Sequence, residues 1–150
     1  MGDPKFTELL AEKKKREQHL SMTSKRRLGR WRMSLGELGM KMRNWLDDPI
    51  KKGVLELTTR KKQIAEELVG TYEVNVWDVK LGSKVVTFEP IATYVIGAFG
   101  RVDVKGPAAG FRLIRESDTG HWSMADPSDP RRTTPLTKEL FQEILLSALG

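Results

Sequence analysis

The stretch "TYEVNVWDVKL" (71–81) decides the fold. Tyr72, Val74, Val76, Asp78 and Lys80 point one way, and Glu73, Asn75, Trp77, Val79 and Leu81 point the other. A period of two with mixed polarity belongs to a half-buried β-strand. Toward the C-terminus, "LGSK" makes a turn and "KVVTFEPI" (84–91) a second strand. "ATYVIGAF" (92–99), "GRVDVKG" (100–106), "GFRLIRE" (110–116) and "GHWSMAD" (120–126) continue the pattern. Short strands parted by glycine-containing turns leave no room for helical crossovers, so the sheet is expected to be antiparallel or a small, partly closed barrel. "DPSDPRRTTP" (126–135), with three prolines, reads as an extended linker. The closing "PLTKELFQEILLSALG" (135–150) reads as an amphipathic helix, with Leu136, Leu140, Phe141, Ile144, Leu145, Ala148 and Leu149 on its apolar face. A face that broad requires burial, and the open side of the sheet is the economical place for it.

Upstream of the strands the period changes. "GVLELTTR" (53–60) fits a strand, and "KQIAEELVG" (62–70) a short helix closed by Gly70. Further back, Leu28, Trp31, Leu35, Leu38, Met42 and Trp45 recur at intervals of 3, 4, 3, 4 and 3, which is a heptad seam on a helix. Asp47-Asp48-Pro49 ends or distorts that helix, and Gly29, Gly36 and Gly39 within it imply either a close neighbour or a helix that forms only against a partner. The seam has two destinations: this chain's own core, or another chain in an oligomer. Residues 4–20 read as a first helix, with Asp3 as cap, Pro4 in the first turn, and Phe6, Leu9, Leu10 and Leu20 amid charges. "SMTS" (21–24) reads as a break, with Thr23 or Ser24 capping the second helix. The expected architecture is therefore α+β. A basic helical region spans 1–52, and a β-rich region with a C-terminal helix packed on its sheet spans 53–150, the two forming one cooperative unit.

Charge is divided unevenly. Residues 1–62 carry 17 Lys and Arg against 8 Asp and Glu, whereas 63–150 carry 9 against 12. A local positive field recruits polyanions. The densest patch is "SKRRLGRWR" (24–32), with Lys25, Arg26, Arg27, Arg30 and Arg32; Lys13, Lys14, Lys15 and Arg16 precede it. These nine cations are the candidate phosphate ligands, with arginine suited to bidentate contact. RNP, zinc-finger and convincing helix-turn-helix patterns are lacking, so the expected nucleic-acid binding is sequence-independent. An acidic protein partner, or a solvated face paired with Glu8, Glu12, Glu17 and Glu37, is the competing reading.

The stretch "VTFEPIATYVIGAFGRVDVKGPAAGFRLI" (86–114), with "EELVGTYEV" before it and "HWSMADP" and "PLTKELFQEIL" after it, resembles a set of small uncharacterised bacterial proteins. They share Pro-Ile-x-Thr, Ile-Gly-Ala, Gly-Arg-hydrophobic-Asp and a "PLT…F" helix. The resemblance implies a single folded unit over about residues 50–148 and carries no activity. Ala92 stands where that pattern has glycine.

Enzymatic chemistry finds little purchase. No cysteine is present, which removes disulfides, thiol catalysis and Cys-based zinc sites. His19 and His121 are far apart in sequence and read as exposed. Asp103-x-Lys105, with Glu89 or Asp78 as a second acid, resembles half of a metal-dependent nuclease signature. Asp78-x-Lys80 repeats the spacing, however, and Lys105 leads into Gly-Pro rather than a helix. The expectation is thus a non-enzymatic binding or accessory protein with neither cofactor nor metal. Its partner is nucleic acid or an acidic protein, with a homo-oligomer built on the seam as the alternative. The start shows no apolar leader and no apolar run long enough to span a membrane, so a cytoplasmic protein without membrane contact is expected.

Overall fold

The computed structural model describes residues 4–95, 98–117, 121–129 and 131–150. The chain is α+β, as the pattern predicts. A long helix, α1 (Pro4–Trp45), and a short one, α2 (Asp47–Lys51), precede seven strands. These are β1 (Glu56–Glu66), β2 (Gly70–Leu81), β3 (Lys84–Ala92), β4 (Arg101–Lys105), β5 (Gly110–Arg115), β6 (Trp122–Ala125) and β7 (Thr133–Pro135). Helix α3 (Lys138–Leu149) closes the chain. The strands form one antiparallel meander in chain order, an open sheet rather than a barrel.

The basic region is one helix, not two. Thr23 does not cap; its hydroxyl donates to the His19 carbonyl one turn back at 3.0 Å, a bond made inside the helix. The cap assigned to Asp3 lies outside the described residues, as does the side chain of Leu20. Asp47-Asp48-Pro49 does end α1: Pro49 sits in the first turn of α2, where a missing N–H costs nothing.

"KQIAEELVG" is not a helix either. β1 continues through Glu66 and pairs with β2 along its whole length, Ile64 opposite Tyr72, before a turn over 67–69 closed by Gly70 at φ 79°. Eleven cross-strand positions outweigh a weak local helical preference. β3 ends at Ala92 after a register shift at Pro90, so "ATYVIGAF" leaves the sheet as a loop with a single bridge, Val95 to Ala98; Ile96 and Gly97 lie outside the described residues. The 126–135 segment ends in a short strand, β7, and Gly120 of the expected "GHWSMAD" strand is outside the described residues.

β2 departs from simple alternation. Tyr72, Val74 and Val76 are buried on one parity, then Trp77 and Val79 on the other. The switch falls where β3 parts from β2, at the Trp77–Phe88 pair.

One hydrophobic cluster joins α1, the sheet and α3. Trp31, Leu35, Leu38 and Met42 are buried in it, with Leu28 and Trp45 half-buried against it. The seam therefore lies in this chain's own core, and the six residues considered as a protein interface are not an open surface. Trp31 meets Trp122 (ring centroids 5.8 Å apart), Trp45 meets Phe141 (5.2 Å), and Phe88 meets Phe141 (5.8 Å). Among the three α1 glycines, Gly39 lies against the Trp77 indole, where an added Cβ would come within 3.0 Å. Gly29 and Gly36 face open space, and nothing in the structure explains them. α3 is capped by Thr137, which accepts from the Leu140 N–H at 3.1 Å, and it buries Phe141, Ile144, Leu145, Ala148 and Leu149.

Candidate nucleic-acid interface and the charged sheet face

At 1.5 Å per residue, the 42 residues of α1 extend about 60 Å. Only its C-terminal half rests on the sheet. Every side chain from Pro4 through His19 is exposed, and Ser24 is the first described residue along α1 to be buried. About 30 Å of helix thus projects from the folded body. Lys13, Lys14, Lys15 and Arg16 occupy four successive positions there and, at 100° per residue, surround most of the helix. Lys25, Arg26, Arg30 and Arg32 are also exposed, with the Arg32 guanidinium 5.9 Å from the Tyr72 ring centroid.

Arg27 behaves differently and leaves the candidate set. It is half-buried, and its Nη2 donates to the Thr93 carbonyl at 2.5 Å and to the Ala98 carbonyl at 3.4 Å. Its Nε donates to Thr93 Oγ1 at 3.3 Å, and its guanidinium lies over the rings of Tyr94 (3.9 Å) and Phe99 (4.8 Å). A guanidinium held in this way is committed to the fold. From the other side, Glu66 at the end of β1 accepts the backbone N–H groups of Thr93 (3.1 Å) and Tyr94 (2.9 Å) and the Tyr72 hydroxyl (2.5 Å). Burial, reinforced by the hydrogen bond to Glu66, pushes the Tyr72 hydroxyl pKa well up.

Arg115 completes this clamp. It is 0% exposed. Its Nε donates to the Phe99 carbonyl at 3.1 Å, and its Nη1 to the Arg30 carbonyl at 3.0 Å and to Ser34 Oγ. Burial lowers its pKa, and the positive charges of Arg27 and Arg30 act in the same direction. The sequence reasoning did not single out Arg115, although a signal was present: in "GFRLIRE" it continues the parity of Phe111 and Leu113, the core side.

The solvent face of β1–β5 is a network of ion pairs. Glu89 bridges Lys105 (2.7 Å) and Lys62 (2.9 Å); Arg101 forks onto Asp103 (2.7 and 2.9 Å); Asp78 takes Arg60 (2.9 Å) and the Thr87 hydroxyl (2.7 Å). The register places Glu89 opposite Asp103, so the acids and lysine of the nuclease reading do come together. They come together with Lys62 and Arg101, three cations to two carboxylates, and those cations hold the oxygens that a divalent metal would need. Among the described residues no cluster of three or more His, Asp or Glu could hold a metal. His19 and His121 are both exposed.

The hydrogen bond from Lys105, seconded by Lys62, holds the Glu89 carboxyl down at about 2, against an ordinary 4.5. A depressed carboxylate stabilises the fold above its unfolded pKa, and that contribution is lost as pH falls from 4.5 through about 2. Glu89→Gln is therefore expected to cost about 2 kcal/mol near neutrality. Urea unfolding at neutral and acidic pH checks this: the gap between the two proteins should close toward pH 2.

No known protein family, curated protein or solved structure matches the chain.

Proposed function

We propose that this protein is a non-enzymatic accessory factor that holds nucleic acid without sequence specificity, through the projecting basic half of α1. The observation that carries the reading is the turn of cations Lys13–Arg16, exposed around a helix that the rest of the fold leaves uncovered. Cations on several sides of a rod suit a groove walled by phosphates on both flanks, which admits an α-helix; a flat acidic protein surface would engage one side only. Lys25, Arg26, Arg30 and Arg32 extend the positive surface toward the body. The buried seam anchors the base of the helix, so the cations stand at a set distance from a rigid sheet. The oligomeric alternative has less support, since Trp31, Leu35, Leu38 and Met42 of the seam are buried in this chain's own core. No helix among the described residues is long and apolar enough to cross a membrane. We place the protein in the cytoplasm on its lack of cysteine and on this reading.

The test is fluorescence anisotropy with a short labelled duplex and a single strand across a salt series. Binding is expected to weaken steeply with salt. Changing Lys13, Lys14, Lys15 and Arg16 together to glutamate should flatten the salt slope by roughly three to four and remove binding at moderate salt. Because those side chains touch nothing in the core, unfolding stability should hardly change. Salt-insensitive binding, or a charge-reversed helix that binds as before, would overturn the proposal.

A further inference from the structure

The solvent face of the sheet carries a groove that the basic helix does not use. Two adjoining cavities, of about 740 and 430 Å³, share Arg101, Arg112 and Ala125 and cross β4, β5 and β6. The larger falls within the range of small-molecule sites. It exists because β3 shifts register at Pro90 and releases the loop after Ala92. Arg27, Glu66 and Arg115 then pin that loop beside the sheet, where Tyr94, Val95 and Ala98 form a wall. The wall is therefore built by the fold.

Two features of the lining point to a ligand. Ile114 has the outward parity, opposite Arg101 on β4 and Ser123 on β6, on a face otherwise rich in ion pairs; yet it is only 9% exposed and lies on the cavity floor. An apolar floor asks for an apolar occupant. Arg112 lies opposite Asp103 across β4 and β5; the Asp103 oxygens accept from Arg101, and the Arg112 side chain is exposed at the cavity. Arg131 stands at the same opening, 92% exposed. The carboxylate lining this cavity among the described residues, Glu116, accepts the Thr133 hydroxyl.

We propose that this groove binds a small anionic amphiphile, a carboxylate with an apolar body. The body lies on Ile114 against the wall of Tyr94, Val95 and Ala98, and the carboxylate accepts hydrogen bonds from Arg112. A planar guanidinium matches a carboxylate in two-pronged fashion. The site is separate from the projecting half of α1 and independent of the nucleic-acid reading.

Isothermal titration with decanoate and with decanol tests it, on the unaltered protein, Arg112→Gln, Ala98→Trp, and the variant with Lys13–Arg16 reversed to glutamate. Decanoate should bind the unaltered protein and the helix variant alike, and at least tenfold more weakly to Arg112→Gln. Decanol should not distinguish Arg112→Gln from the unaltered protein, and Ala98→Trp, which fills the cavity, should exclude both. The exposed Arg112 substitution leaves folding intact, so the test stands even where Ala98→Trp fails to fold. No heat with decanoate, equal affinity for Arg112→Gln, or loss of binding in the helix variant would overturn the proposal.

Discussion

Replacing Arg115 with alanine is expected to lower the unfolding free energy by about 3–5 kcal/mol, from buried acceptors left without a donor and the cavity left by the side chain. Among the described residues, the Phe99 carbonyl, the Arg30 carbonyl and the Ser34 hydroxyl all depend on this side chain. Each loses a charge-assisted donor in a site with little access for water, at about 1–3 kcal/mol for a buried group left unsatisfied. The guanidinium also fills space beside Trp31, 5.8 Å from its ring centroid, so truncation leaves a cavity as well. Arg115→Lys should recover only part of the loss. A single ammonium keeps the charge but cannot reproduce the spread of a planar fork that reaches α1 and the 99–100 segment together. Guanidinium unfolding of the three proteins, followed by tryptophan fluorescence, checks the order Arg above Lys above Ala. A loss under about 1 kcal/mol for Arg115→Ala would mean that water takes over the acceptors.

Gly100→Ala should be comparably damaging, for reasons that join backbone and core. Gly100 has φ 142°, a conformation that side chains rarely adopt, and an added methyl would run into the six-membered ring of Trp31, which is itself 0% exposed. Overpacking costs about 1–3 kcal/mol, and backbone strain adds about 1–3 kcal/mol. The site is also tied down, because the Gly100 carbonyl accepts the Arg115 N–H at 3.1 Å while the Phe99 N–H donates to the Arg115 carbonyl at 2.8 Å. Trp31→Leu would remove the ring that the methyl strikes. In the doubly altered protein the cost of Gly100→Ala should therefore fall toward the strain contribution alone. A double-mutant cycle in urea measures this; strict additivity would show that the ring is not what Gly100 accommodates.

How far these features were legible varies with the residue. The strand character of 71–81 and the helical seam from Leu28 to Trp45 stand in the local pattern, because period two and period three-to-four each report one element burying one face. The exposed cations of 13–16 were equally legible, since four adjacent charges on a helix cannot all be buried. The errors fell where local preference is weak. Thr23 and Ser24 look like a break, yet the helix runs on through both, and the Thr23 hydroxyl bonds within it. "KQIAEELVG" looks helical, yet β2 pairs with its first five residues, through Glu66, and the next three make the turn into Gly70. Arg27 read as one more surface cation. Its true environment is a loop 66 residues away in sequence, a separation that no local pattern carries.

By itself, the sequence determined the class of the protein: helices before and after an antiparallel sheet, with a positive charge excess in the first 62 residues. Those properties follow from short-range periodicity and composition, which the chain carries wherever it goes. The tertiary structure alone decided that the seam serves this chain's own core, that half of α1 stands clear of it, and that Arg27, Glu66 and Arg115 pin one loop against a groove. Each of these depends on groups distant in sequence satisfying one another's charge, hydrogen bonds or apolar surface. That complementarity exists only once the sheet has brought them together.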